Sequence, residues 1–271
     1  MIKGKKVIAI VPARGGSKRL PKKNILDFYG KPLINWSIEA GLGSKYIDWV
    51  IVSTDDIEIA DIAREAGGDV PFLRPRELTS DNASTVDVIV HLLGTVGSHE
   101  YDYIVLLQPT SPLRTSAHVD EALELLASKD ADAIVSVSPV EHPVEWTNTL
   151  PENHSLDDFL TESILNVRSQ DLPERYQING AIYIAKTDKF LAEKSLFLRQ
   201  KTYAYIMRKK ESVDIDDKID FAKALALKIG YSQVLINDAI LKEISKAIDE
   251  KGAINLTRKD LDDLYLKIES R

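Results

Sequence analysis

The chain of 271 residues contains no cysteine. That excludes disulfides, thiolate zinc sites and a cysteine nucleophile together. It has no apolar run near the ~18 residues that a membrane-spanning helix requires. Internal repeats and low-complexity tracts are missing as well. Positive charge is the minority sign, with 35 Lys and Arg against 42 Asp and Glu and a net charge of -7. General nucleic-acid binding, which needs a broad basic face, is therefore not expected. Histidine is scarce at five residues, and none stands beside a motif partner, so each reads as a surface or packing residue. Met1-Ile2-Lys3-Gly4-Lys5-Lys6 runs straight into the first apolar segment, which leaves no room for a signal peptide and points to the cytoplasm.

What is present suits a folded core, with 44% hydrophobic and 28% charged residues. The length accommodates one large α/β domain, or one domain with a small appendage. Near the start, Val7 to Val11 reads as a short buried strand. It feeds Pro12-Ala13-Arg14-Gly15-Gly16-Ser17-Lys18-Arg19-Leu20-Pro21-Lys22-Lys23-Asn24, which holds five cations with paired glycines and a serine among them. Glycines let backbone N–H groups approach an anion, and clustered cations neutralise it. A solvated basic loop and a triphosphate seat both fit this composition. The place of the loop, after a first strand, favours the seat, because α/β sheets bind ligands beyond the C-terminal ends of their strands.

The following segments read strand and helix in alternation. Pro32 opens a helix carrying Leu33, Trp36 and Ala40 at helical spacing, stopped by Gly41 or Gly43, with Trp36 as core. Trp49 to Thr54 is a second strand, and Asp55-Asp56 cap the helix that runs to about Ala66. This βαβ beginning implies a parallel sheet with helices on both faces. Val70 to Leu73 reads as a further short strand. The polar stretch Arg74 to Thr85 feeds a helix to about Leu93, and its hydroxyl residues suit either a helix cap or a flat heterocycle. Tyr103 to Leu107 is a central strand running into Gln108-Pro109-Thr110-Ser111-Pro112-Leu113-Arg114 and a helix to about Ala127. Strands are also expected at Asp132 to Val137, Asn179 to Ile184 and Thr202 to Met207.

Between about 140 and 175 the periodicity fails, as in an insertion forming a lid or an oligomer flap. Further on, Ser212-Val213-Asp214-Ile215-Asp216-Asp217 opens a helix to about Ile229. Asp214 and Asp216 are two apart, so an extended backbone puts both carboxylates on one face. Such a pair repels unless a cation sits between its members, and hard oxygen donors suit Mg²⁺. A helix cap accounts for Asp216 and Asp217 but not for Asp214. The domain reading is therefore 1–230, with a helical extension over 231–271 built from patterns at Ala239 to Ile248 and Leu261 to Ile268.

These blocks together resemble the acylneuraminate cytidylyltransferases, also called CMP-sialic acid synthetases. The resemblance rests on Arg14 to Asn24, Ser53-Thr54-Asp55, Arg74-Pro75, Ser80-Asp81, Leu107 to Arg114, Asn179 to Tyr183 and Asp214-Ile215-Asp216, in order and spacing, over roughly residues 5–230. It implies a Rossmann-like nucleotidyltransferase that joins CTP to a nine-carbon 2-keto sugar acid and releases pyrophosphate. Carried over by position, Arg14, Gly15, Ser17, Lys18 and Lys23 would hold the triphosphate, while Asn24, Arg74 and Ser84 or Thr85 would line the cytidine pocket. Gln108, Thr110, Ser111, Tyr183 and Phe197 would face the sugar acid, and Asp214 with Asp216 would bind Mg²⁺. Arg14, Lys18, Lys23, Asp214 and Asp216 would form the catalytic set. The 140–175 flap resembles that family's dimerisation element, which implies a homodimer.

Two departures from the family pattern bear on the sugar. Glu145 stands where members acting on sialic acid tend to carry a lysine, and Leu196-Phe197 stands where two aromatics are common. Both suit the wider nonulosonic class, including legionaminic and pseudaminic acids. The alternatives are a CMP-Kdo synthetase, whose loop usually continues Gly-Lys-Pro where this chain has Lys22-Lys23-Asn24, and a non-catalytic nucleotide-binding regulatory subunit.

Overall fold

A computed structural model describes residues 1–79, 83–97, 100–231, 237–251 and 258–269. Its sheet contains β1 (Val7–Pro12), β2 (Trp49–Ser53), β3 (Tyr103–Leu106), β4 (Ala133–Pro139), β5 (Tyr176–Lys186) and β6 (Thr202–Ile206) in the spatial order β2-β1-β3-β5-β4-β6. β1 pairs in parallel with β2 and β3, and β4 pairs in parallel with β6. β5 runs antiparallel between β3 and β4. The C-terminal ends of the other described strands therefore share one edge, where ligands of open α/β sheets bind.

Alternation in β1 shows why the sheet is covered twice. Val7, Ala9 and Val11 enter one core, and Ile8 and Ile10 enter another on the opposite face. The first face is covered by α1 (Leu33–Leu42), α2 (Ile57–Glu65) and α4 (Ser116–Lys129), through residues such as Ile38, Ile59 and Leu123. The second is covered by α3 (Thr85–Val96) and by α5 (Thr187–Glu193), through Ile89, Leu92 and Phe190. The short helix α5 has no counterpart in the sequence reading. Val70 to Leu73 does not form the expected strand. Only Asp69 bridges to Ile51, because Pro71 lacks the N–H that would continue the ladder.

A second apolar cluster lies beside the basic loop. It joins Leu20 and Phe28 to Ile215 and Phe221, and to Ile240, Ile244 and Leu261 of α7 (Asp238–Lys251) and α8 (Arg258–Glu269). The C-terminal helices thus share a core with the segment that follows β1. Trp36 is half-buried at its rim, with Lys31 and Lys228 each 3.6 Å from its ring centroid. Lys228 belongs to α6 (Lys218–Ile229), so this cation–π stack ties α6 to α1.

The irregular segment between β4 and β5 holds two short 3₁₀ turns, Val144–Trp146 and Ser169–Asp171. Within it, the Glu145 carboxylate accepts from Arg175 Nε at 2.9 Å and Nη2 at 2.7 Å. No described helix is long and apolar enough to cross a membrane.

Candidate active site

Two cavities adjoin at the C-terminal edge of the strands. The first, about 590 Å³, is lined by Arg14, Ser17, Lys18, Arg19, Lys23, Asn24, Arg74, Thr85, Gln108, Thr110 and Asp216, with apolar Leu20, Leu78 and Val88. Cations dominate its described lining, where Asp216 supplies the carboxylate. In a chain of net charge -7 this concentrates positive potential at one point. The second cavity, about 360 Å³, is lined by Gln108, Glu141, Gln177, Gly180, Tyr183, Lys209, Asp214, Asp220 and Lys223. Gln108 lines both, and Asp214 and Asp216 each face a different one.

The basic loop is held by polar anchors at both ends. Gly15 N–H donates to Asp55 Oδ1 at 3.1 Å, and the buried Asn24 side chain donates to Arg14 O at 3.0 Å. Asp56, by contrast, caps α2 by accepting from Ile59 N–H. The paired aspartates therefore divide their work, although the sequence reading assigned both to the cap. Asn24 stands on the cavity lining, but its amide secures the loop. Lys22 adopts a left-handed backbone and pairs with Glu58 at 2.7 Å, away from this cavity. Lys23 turns inward, donating to Ile215 O at 2.6 Å and lying 3.3 Å from Asp216 Oδ1. Arg19 meets the other oxygen of Asp216 at 3.2 Å. Loop and carboxylate segment are thereby laced across the cavity.

Arg74 is buried, with Nη2 donating to Ser53 O at 2.6 Å and Nε to Ser53 Oγ at 3.2 Å. Burial pushes its pKa down, and the nearby Asp55 charge partly restores it. Thr85 lines the first cavity, whereas the Ser84 hydroxyl is engaged in a capping box with Asp87 at the start of α3. Of the two alternatives for the pocket wall, the structure brings Thr85 to it. Ser80 and Asp81 lie outside the described residues.

On the other side, Asp214 opens into the second cavity, where the Thr110 side chain favours its charged form. Surrounding protein removes enough solvent to raise its pKa, and Asp216 and Asp220 raise it further against the opposing effects of Thr110 and Lys23. Gly180 has φ +73°, and a Cβ there would lie 3.1 Å from Gln108 Oε1, so glycine admits the glutamine side chain. Tyr183 lines the same cavity, and burial followed by the Asp214 charge raises its pKa. Three expected sugar-facing residues are placed elsewhere, Thr110 lining the first cavity and not the second. Ser111 is fully buried under its loop, and Phe197 is 57% exposed and lines neither cavity. Leu196 packs partly buried in the same cluster as Tyr183. Glu145 also lines neither cavity, its carboxylate being held by Arg175.

Sequence reading did not single out Ser37, Lys209 or Lys223, and it read Asp55 as a helix cap rather than as the anchor of Gly15. A signal for Lys209 was available, since it stands in a basic run just before Asp214.

A family model described as cytidylyltransferase matches residues 8–251. The N-acylneuraminate cytidylyltransferase of Streptococcus agalactiae serotype V is 37% identical over 264 residues, which are 96% of this chain and 61% of that protein. The chain thus spans about three-fifths of the length of that relative. The pseudaminic acid cytidylyltransferase of Campylobacter jejuni subsp. jejuni serotype O:2 is 35% identical over 224 residues, covering 81% of this chain and 96% of that protein. Among solved structures, a CMP:2-keto-3-deoxy-manno-octonic acid synthetase complexed with CTP aligns with TM-score 0.62 at 20% identity, over 82% of this chain and 98% of that one. At that identity the likeness is one of fold.

Proposed function

The chain belongs to the cytidylyltransferase family, and from that premise we propose that it transfers CMP from CTP to the anomeric hydroxyl of a nonulosonic acid, releasing pyrophosphate. The observation that carries this reading is the pairing of a strongly basic cavity with a polar one across a shared wall of Gln108, Asp214 and Asp216. A nucleoside triphosphate suits the first, and a polyhydroxylated acid suits the second. The relatives with the longest coverage of their own length support the acid class.

In this reading Arg14, Lys18 and Lys23 neutralise the triphosphate, assisted by Ser17, while Gly15, whose N–H is bound by Asp55, holds the loop in place. Arg74 and Thr85 flank the base, and Asn24 keeps the loop in shape. Gln108 and Tyr183 orient the sugar acid, and Thr110 stands on the nucleotide side of the wall. The anomeric oxygen then attacks the α-phosphorus, the bond to the β-phosphate bridging oxygen breaks, and the hydroxyl proton is lost to solvent or a nearby base. Such a transfer depends on positioning and charge neutralisation more than on covalent catalysis.

The donor set on the wall fits Mg²⁺. Asp214 and Asp216 offer hard oxygens toward the two cavities, and among the described residues no cluster of three metal-ligating side chains forms a full cage. Mg²⁺ needs no such cage, since it is commonly held by one or two carboxylates with substrate phosphates and water. Bound there, it would supply charge neutralisation and Lewis acidity at the phosphate.

The flap between β4 and β5 is read as the surface of a homodimer. Val144, Trp146, Leu150, Leu156 and Leu165 expose between 41% and 62% of their surface in the single chain, and such apolar clusters mark interaction surfaces. Light scattering on the purified protein should give twice the chain mass of 30.3 kDa; a monomer at micromolar concentration would contradict this.

The functional reading is tested by pyrophosphate release from CTP and Mg²⁺ with sialic, legionaminic, pseudaminic and Kdo acids side by side. Release with a nine-carbon acid supports it and identifies the substrate. Silence with all four, from protein that binds CTP, favours a non-catalytic nucleotide-binding role.

A further inference from the structure

We propose that Arg114 is a positioning residue for this reaction, acting through the main chain of Gln108 on the wall between the two cavities. The inference rests on the functional reading above and adds a residue that touches neither cavity.

Arg114 is only 2% exposed and stands first among the large buried side chains. Its Nη2 donates to Ser37 Oγ and, at 3.5 Å, to Gln108 O. Ser37 is itself fully buried on α1 and donates to the same Gln108 carbonyl at 3.0 Å. Ser111 N–H reaches that carbonyl too, at 3.3 Å. One carbonyl thus gathers donors from α1, from the loop and from the residue just before the cap of α4.

The rest of this guanidinium is costly. Nε and Nη1 have no protein partner, and no described carboxylate offsets its burial. Burial pushes its pKa down to about 9. A lone buried charge detracts from stability, and an apolar side chain would fill such a site more cheaply. Stability therefore does not explain an arginine here, whereas placement of the 108–114 loop does. That loop carries Gln108, which lines both cavities, and Thr110, whose side chain lines the first and favours the charged form of Asp214. Thr110 O also accepts from Ile215 N–H at 2.9 Å, between the two aspartates. A shift of the Gln108 carbonyl is thereby passed to the carboxylate pair. Misplacement of about an ångström at such a centre costs on the order of a hundredfold in rate.

The test compares Arg114→Met, Arg114→Lys and Ser37→Ala with the wild-type chain for melting temperature, KM for CTP, and kcat with the preferred acid. Arg114→Met should fold and keep its KM for CTP within about twofold, while kcat falls by at least about tenfold. Arg114→Lys, whose ammonium can reach Ser37, should recover part of kcat, and Ser37→Ala should lose kcat severalfold. A Met variant whose kcat stays within about twofold of wild type overturns the inference. Should the Met variant fail to fold, a folded Ser37→Ala protein with wild-type kcat overturns it instead. No product from the wild-type chain with any acid contradicts the functional reading itself, so the two failures are told apart.

Discussion

Gly15 has so little room that an added Cβ would lie 2.5 Å from Asp56 Oδ2, while its N–H is bound by Asp55. Gly15→Ala must push the basic loop away from α2, at a cost of about 1–3 kcal/mol. Titration calorimetry should show weaker CTP binding, and unchanged affinity would refute the account of the loop. Asp214 presents the opposite case, a side chain retained against stability. Its folded-state pKa lies above the ordinary 3.8, so the folded chain binds more protons than the unfolded one. Its contribution to stability is therefore greatest in acid and is lost as pH rises through the raised value. Asp214→Asn should abolish turnover while melting at or above wild type near neutral pH, with a smaller loss of stability from about pH 4 upward. Melting curves across pH, read beside activity, decide this. The places of Lys23 and Asn24 on the cavity lining were legible because they lie in one short motif, but the hold of Asn24 on the Arg14 carbonyl was not. Asp55 and Arg114 were not, since their roles rest on contacts 40 and 77 residues away in sequence.

Among the elements, α3 links a local cap to the cavity. Ser84 and Asp87 close its first turn reciprocally, and Thr85 and Val88 on the same helix line the basic cavity. Ser84→Ala should cost about 1 kcal/mol and raise the KM for CTP slightly, because the frayed turn carries a wall residue. A loss in CTP binding as large as that of Lys23→Ala would instead mean that the serine contacts nucleotide. Alternating or continuous apolar runs identified β1 to β5 from sequence, since strands buried on both faces leave a strong signature, and the exposed edge strand β6 was read as a strand as well. The same signal misread Val70 to Leu73, where apolar character survives but Pro71 stops the ladder. It passed over α5, which is too short for its periodicity to stand out.

For the whole molecule, the C-terminal helices are structural partners of the basic loop. Ile244 on α7 is 1% exposed in the core that also contains Leu20 and Phe28. Ile244→Asp would bury a charge without a partner and should destabilise the chain by about 3 kcal/mol or more, with CTP binding lost at temperatures where the Gly15→Ala protein still binds. The sequence marked this tail as helical but assigned it no site, because the apolar cluster it shares with the loop joins residues more than 200 apart. The domain boundary expected near residue 230 therefore does not divide the apolar core. The central claim is transfer of CMP to a sugar hydroxyl. The direct measurement uses the preferred acid with heavy oxygen in its anomeric hydroxyl, together with CTP and Mg²⁺, and follows the label by mass spectrometry. The account predicts that the label stays in the bridge of a CMP-sugar and that the pyrophosphate carries none. Labelled pyrophosphate, or CTP consumed without a sugar-linked product, would contradict it.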